Sequence, residues 1–199
     1  MKKLDINSVA LTTVILFLIC VVVTAALAGT NYITKDRIDS LNKKQEEKAK
    51  ALVLSASTYE DAEISYEGEN YNYFIAKNGE EVLGYVVTVT ENGYGGEIKV
   101  MVGVDTKGTV TGVNILSADD ETPGLGANIT KKNFYEQFKG RKKNIVLQKN
   151  SADKDKNEIK AVTGATISST AANKAVNKAL SLLENVYTAD NSEKEKDGE

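Results

Sequence analysis

Four hydroxyl side chains and a glycine fall together in Thr163-Gly164-Ala165-Thr166-Ile167-Ser168-Ser169. Apolar residues then recur at Ala171, Ala172, Ala175, Val176, Ala179, Leu182, Leu183 and Val186, which is helical spacing. Asn173, Lys174, Asn177, Lys178 and Glu184 are left for the wet face. Two kinds of chemistry suit hydroxyls at such a helix start. They can cap it, each oxygen accepting an orphan N–H. Alternatively, the unpaired N–H groups and the positive end of the helix dipole hold a phosphate beside them. A threonine hydroxyl is a poor nucleophile unaided, so any bond made there needs an outside base or metal.

A second grouping is Glu121-Thr122-Pro123-Gly124-Leu125-Gly126. Pro123 is the only proline in the chain. Pro-Gly is the preferred centre of a type II turn, which places Gly124 at positive φ. Gly126 would let the backbone approach a ligand closely. The segment lies between a strand-like run, Val110 to Leu116, and an expected short helix, Thr130 to Phe138. A plain structural turn and a loop covering a cofactor both fit. A third grouping, Gly93-Tyr94-Gly95-Gly96-Glu97-Ile98, is rich in glycine.

Together these groupings resemble the FMN-binding domain family. Thr163 to Thr166 matches its Ser/Thr-Gly-Ala-Thr signature, and Glu121 to Gly126 matches its Glu-Thr-Pro-Gly-Leu-Gly loop. Ile129, Phe134, Gln137, Phe138 and Gly140 follow the run after that loop. The likeness covers about residues 80 to 186 and is closest to the G subunits of Rnf electron transport complexes. The C subunit of the sodium-pumping NADH:quinone reductase is a longer relative.

The resemblance implies FMN held by a phosphodiester to Thr166, transferred from FAD by a dedicated flavin transferase. Thr163, Gly164, Ala165, Ile167, Ser168, Tyr94 and Gly95 would line the cofactor, with Thr122 and the loop's N–H groups at the isoalloxazine edge. Glu121 is read as holding the loop, and no residue is assigned as a catalytic acid or base. Two positions depart from the pattern. Lys160 stands where an acid is common, which bears on transferase recognition, and Asn128 stands where a lysine is common, which bears on a flavin contact.

Something must carry this site. The chain has 199 residues and a net charge of −3, with no His and one Cys, Cys20. Histidine-ligated haem and an ordinary zinc site are excluded, and a cluster on the chain's own thiolates nearly so. Neither charge nor basic clustering suits nucleic acid. No strand-to-helix Gly-x-Gly-x-x-Gly unit marks a dissociable dinucleotide site. Val9 to Ala28 carries no charge, and about twenty such residues span a bilayer. Ala26-Leu27-Ala28 also reads as a signal-peptidase site, but the run exceeds a usual signal core, which favours a retained anchor.

Residues 1–8 are expected to form a short cytoplasmic N-terminus and 9–29 a transmembrane anchor. Residues 30–55 form a helical stalk, 56–187 the FMN-binding domain and 188–199 a disordered tail. The fold class is α+β: one N-terminal transmembrane helix, then an antiparallel sheet with packed helices. Hairpins are expected around Asn78-Gly79 and around Asp105-Thr106-Lys107-Gly108, each with one buried face. Tyr59 to Asn72 reads as loop and irregular strand, and 150–159 as a polar excursion.

The resemblance further implies a single-pass electron-transfer subunit of an Rnf-type, ion-translocating ferredoxin:NAD+ oxidoreductase. It would sit in the bacterial cytoplasmic membrane with its domain on the extracytoplasmic side. The other membrane and peripheral subunits of that complex would be its partners. The alternatives are a flavinylated carrier of an extracellular electron-transfer chain, or a non-redox exported binding or assembly protein.

Overall fold

The computed structural model describes residues 6–153 and 155–196. Most of the expected cytoplasmic N-terminus, the last three residues of the expected tail and Lys154 lie outside these. Helix α1 (Ile6–Val53) takes in both the apolar run and the expected stalk. Among the described residues it is the one helix long and apolar enough to cross a membrane.

From Glu46 onward the chain forms its own unit. Five strands follow one another: β1 (Thr58–Tyr66), β2 (Glu69–Asn78), β3 (Glu81–Asn92), β4 (Glu97–Asp105) and β5 (Val110–Ser117). They pair antiparallel in chain order. Both expected hairpins are present, turning at Asn78↔Glu81 and between Asp105 and Val110. The stretch expected as irregular is instead a full hairpin, β1 with β2, turning at Glu67-Gly68. Its first strand is an exposed edge that buries little, so apolar alternation never announces it.

The central strands are buried on both faces, not one. Tyr85, Val87, Val89, Val100, Val102 and Val104 face the apolar stripe of α3 (Thr166–Lys196). On the other face Phe74, Val86 and Met101 pack with Ala49 and Val53 from the end of α1. That end docks through a notch. Gly103 and Gly112 are cross-strand partners, and a Cβ on either would come within 2.8 Å of Val53's backbone. Thr111 Oγ1 donates to the Val53 carbonyl at 2.7 Å. Lys50 is buried there, its ammonium 3.5 Å from the Phe74 ring centroid and paired with Glu47 at 2.8 Å.

Gly112→Val is expected to push Val53 off the sheet and cost about 2 kcal/mol, in the range for overfilling a packed site. Faster amide exchange confined to residues 49–58 would report it; unchanged exchange there would count against the notch.

The expected helix over Thr130 to Phe138 is broken into three pieces. A 3-10 turn (Gly126–Thr130) precedes α2 (Lys132–Tyr135), and a second 3-10 turn (Glu136–Phe138) follows. Breaking the helix lets Ile129, Phe134 and Phe138 all reach the core. The polar excursion ends in β7 (Glu158–Lys160), paired in parallel with β6 (Val146–Gln148). The tail expected to be unstructured from 188 continues α3 as far as Lys196.

Candidate functional site

The two signature segments fold as matching turns. The Ala165 N–H donates to the Val162 carbonyl at 3.0 Å with Gly164 at φ 77°. The Leu125 N–H donates to the Thr122 carbonyl at 3.1 Å with Gly124 at φ 78°. Both have the form of a type II turn, where positive φ at the third position suits glycine. They touch: a Cβ on Gly164 would lie 3.1 Å from Leu125 Cδ2.

The carboxylate of Glu121, 3% exposed, ties the surrounding elements together. Its Oε1 accepts the N–H groups of Tyr94 at 2.7 Å and Gly95 at 3.2 Å. Its Oε2 accepts the hydroxyl of Ser168 at 2.6 Å. The glycine-rich turn, the Pro-Gly loop and the first turn of α3 thus share one buried carboxylate, whose desolvation these three hydrogen bonds offset. Gly126 stands where a Cβ would come within 2.0 Å of Glu121 Oε2 and 2.7 Å of Ser168 Oγ. Its missing side chain makes room for this carboxylate, a different reason from the ligand approach expected of it.

Between the turns lies a cleft of about 620 Å3, lined among others by Tyr94, Thr122, Leu125, Thr166 and Ile167. Of the four large hydrophobic side chains exposed outside α1 among the described residues, three face it: Tyr94, Leu125 and Ile167. Such side chains exposed together mark a binding surface. Glu121, Gly126, Gly164, Ala165 and Ser168 complete the lining. Gly95 is joined to it through Glu121, whereas Pro123 and Gly124 stay on the loop outside it. Thr163 faces a neighbouring groove instead.

The first helical bond of α3 runs from the Ser169 N–H to the Ala165 carbonyl at 3.0 Å. Ala165 therefore holds the cap position, and alanine has no oxygen to cap with. Ser169 Oγ accepts the Val162 N–H at 2.9 Å, which pins the signature turn, a role that the sequence did not indicate for it. Ser168 is engaged by Glu121. Thr166 is half-buried, and among the described residues its hydroxyl makes no hydrogen bond. An idle hydroxyl thus stands at an uncapped helix N-terminus, inside an apolar-lined cleft.

A larger concavity, about 830 Å3, lies elsewhere and is lined by Glu46, Asp61, Glu69, Glu91 and Glu97. The Tyr71 hydroxyl, and then Lys178, hold the Glu69 carboxyl below its ordinary range. That much negative charge opposes a phosphate, so the smaller cleft is the better candidate despite its size.

Asn128 Nδ2 donates to the Gly124 carbonyl at 2.6 Å, bracing the Pro-Gly turn. The Lys160 backbone is gripped by the Gln137 amide, which accepts its N–H at 2.8 Å and donates to its carbonyl at 3.1 Å.

Comparison with known proteins shows the family. Residues 93–181 match the family model described as FMN-binding domain, and 1–53 match that of the RnfG N-terminal region. The G subunit of the Na(+)-translocating ferredoxin:NAD(+) oxidoreductase complex of Acetobacterium woodii is 36% identical, over 86% of this chain and 90% of that one. The G subunit of the proton-translocating complex of Clostridium ljungdahlii is 33% identical, over 90% and 94%. Among solved structures, the C subunit of the Na(+)-translocating NADH-quinone reductase from Parabacteroides distasonis has a TM-score of 0.52 at 26% identity. That match covers 60% of this chain and 63% of the other. NqrC of Shewanella oneidensis has the same TM-score at 18% identity, over 71% and 72%, a likeness of fold alone.

Proposed function

Since the chain belongs to the RnfG family of ion-translocating ferredoxin:NAD+ oxidoreductase (Rnf) complexes and carries an FMN-binding domain, we propose that it holds FMN as a phosphodiester on Thr166. It is a redox component of such a complex, associated with the membrane and working with its other subunits. The finer reading places the domain on the extracytoplasmic side, anchored by α1 and loaded by a flavin transferase. Coverage of nearly the full length of both G-subunit relatives favours this over an isolated carrier in another electron chain.

The observation that carries the covalent reading is the idle Thr166 hydroxyl at the uncapped start of α3. The residues present fit the group. The cleft is within the usual size range for small-molecule sites, Tyr94, Leu125 and Ile167 offer apolar surface to a ring system, and the helix terminus offers N–H groups to a phosphate. When bound, FMN supplies reversible uptake and release of electrons. In attachment, the Thr166 oxygen forms the new P–O bond and gives up its proton. The transferase supplies the base and the FAD, whose pyrophosphate link breaks to release AMP. Glu121 keeps Tyr94 and Ser168 in place around the acceptor throughout. Attachment suits an exported carrier, since a covalent group cannot be lost where none can be replaced.

Intact mass after denaturation tests this on the full chain co-expressed with a flavin transferase. One added FMN, mapped to the peptide holding Thr166, is expected. An unmodified mass under conditions that label a control protein would defeat the reading.

A further inference from the structure

Charge is divided unevenly along the domain. Residues 46–130 hold fifteen acidic side chains against five basic ones, while 131–160 hold ten basic against four acidic. The basic stretch folds beside the signature. A groove of about 460 Å3 runs along the outer side of the Thr163 turn, with Lys131 and Lys160 in its walls and Gln137 and Asn133 between them. A second groove of about 460 Å3 shares Asn133 and Gln137, has Glu136 in its wall, and continues past Lys139 to Arg141. Several neighbouring lysines are neutralised: Lys132 by Glu136, Lys143 by Glu184 and Lys156 by Asp153. Lys131, Lys139 and Lys160 form no ion pair among the described residues. The trough is also held open, because Gln137 bonds both sides of the Lys160 backbone and fixes its wall.

We infer that this trough is a docking seat for an acidic, extended segment of a protein partner, which it brings against the outer face of the flavin-bearing turn. Unpaired cations alternating with side-chain amides suit carboxylates presented one after another along a strand or loop. A concave seat with fixed walls favours a polypeptide over a flat layer of lipid headgroups. Charge complementarity of this kind selects partners and sets their register more than it adds raw affinity. The position matters because electron transfer demands closeness, and an occupant would sit across one turn from Thr166. The inference rests on the covalent-carrier reading for that purpose, though not for the existence of the seat.

The test replaces Asn133 with a photo-activated phenylalanine analogue in the full chain, in its native membranes, and identifies adducts by mass spectrometry. Adducts are expected on one stretch of another subunit rich in Asp and Glu. Lys131→Glu combined with Lys139→Glu is expected to cut their yield about tenfold, a change of about 1.4 kcal/mol. Reversing the acids of the identified stretch to Lys is expected to restore it. Adducts to lipid alone, to a stretch without acids, or none at all would overturn the inference, as would a yield indifferent to the double variant. Flavin fluorescence of the same denatured chain reports separately on Thr166, so loss of docking with flavin retained would leave the carrier reading standing.

Discussion

Thr166→Val is expected to yield a chain that folds and inserts as before but carries no flavin after denaturation. The loss should be complete, because among the described residues no other hydroxyl combines a place in the cleft at the start of α3 with freedom from hydrogen bonds. Ser168 is held by Glu121, and Ser169 by the Val162 N–H. Thr163 faces the neighbouring groove, so Thr163→Val is expected to keep its flavin. Stability should hardly change. Valine keeps the branched shape and has a similar helix propensity, and no hydrogen bond is broken, so the cost is under about 0.5 kcal/mol. In-gel flavin fluorescence together with a thermal melt separates the two effects. Fluorescence surviving in Thr166→Val would move the acceptor elsewhere.

Glu121→Ala is expected to be the most destabilising single change around the cleft. It removes the acceptor of two N–H groups and one hydroxyl, all at a buried point. Leaving such donors unsatisfied costs about 3 kcal/mol in sum. For a domain of this size that lowers the melting temperature by about 10 °C. Glu121→Gln keeps one carbonyl oxygen for the Tyr94 and Gly95 N–H groups, while its amide meets a Ser168 hydroxyl that can turn to accept. The expected loss is then about 1 kcal/mol. Near-UV circular dichroism melts of the full chain in detergent measure both. Equal melting of wild type and Glu121→Ala would show that the carboxylate does not tie the three segments.

Much of this was legible in the residues because it is local. Asn78-Gly79 announced its hairpin, and Pro123-Gly124 its turn with positive φ at Gly124. Val100, Val102 and Val104 announced the inward face of β4. The role of Glu121 as a holder was also readable in outline. What it holds was not, since Tyr94 lies 27 positions before it and Ser168 lies 47 positions after. The same distance hid the reason for Gly126, whose neighbours are side chains brought in from elsewhere. Strand β1 escaped for a different reason. An acid-rich edge strand satisfies its backbone through β2 while burying almost nothing, and periodicity reads only burial.

The sheet is a simple meander in which neighbours in space are neighbours along the chain. Pairings of that kind close short loops and need not wait for distant segments. The cleft is built the other way, from contacts that reach across the domain and depend on α3, which follows every strand along the chain. If Thr166 is the acceptor, maturation follows an order set by the topology: the threonine stands in a finished cleft only once α3 has folded onto the sheet. A chain cut short before residue 166 lacks both the threonine and the α3 stripe that covers the sheet, so on the proposed attachment covalent flavin would mark a finished domain.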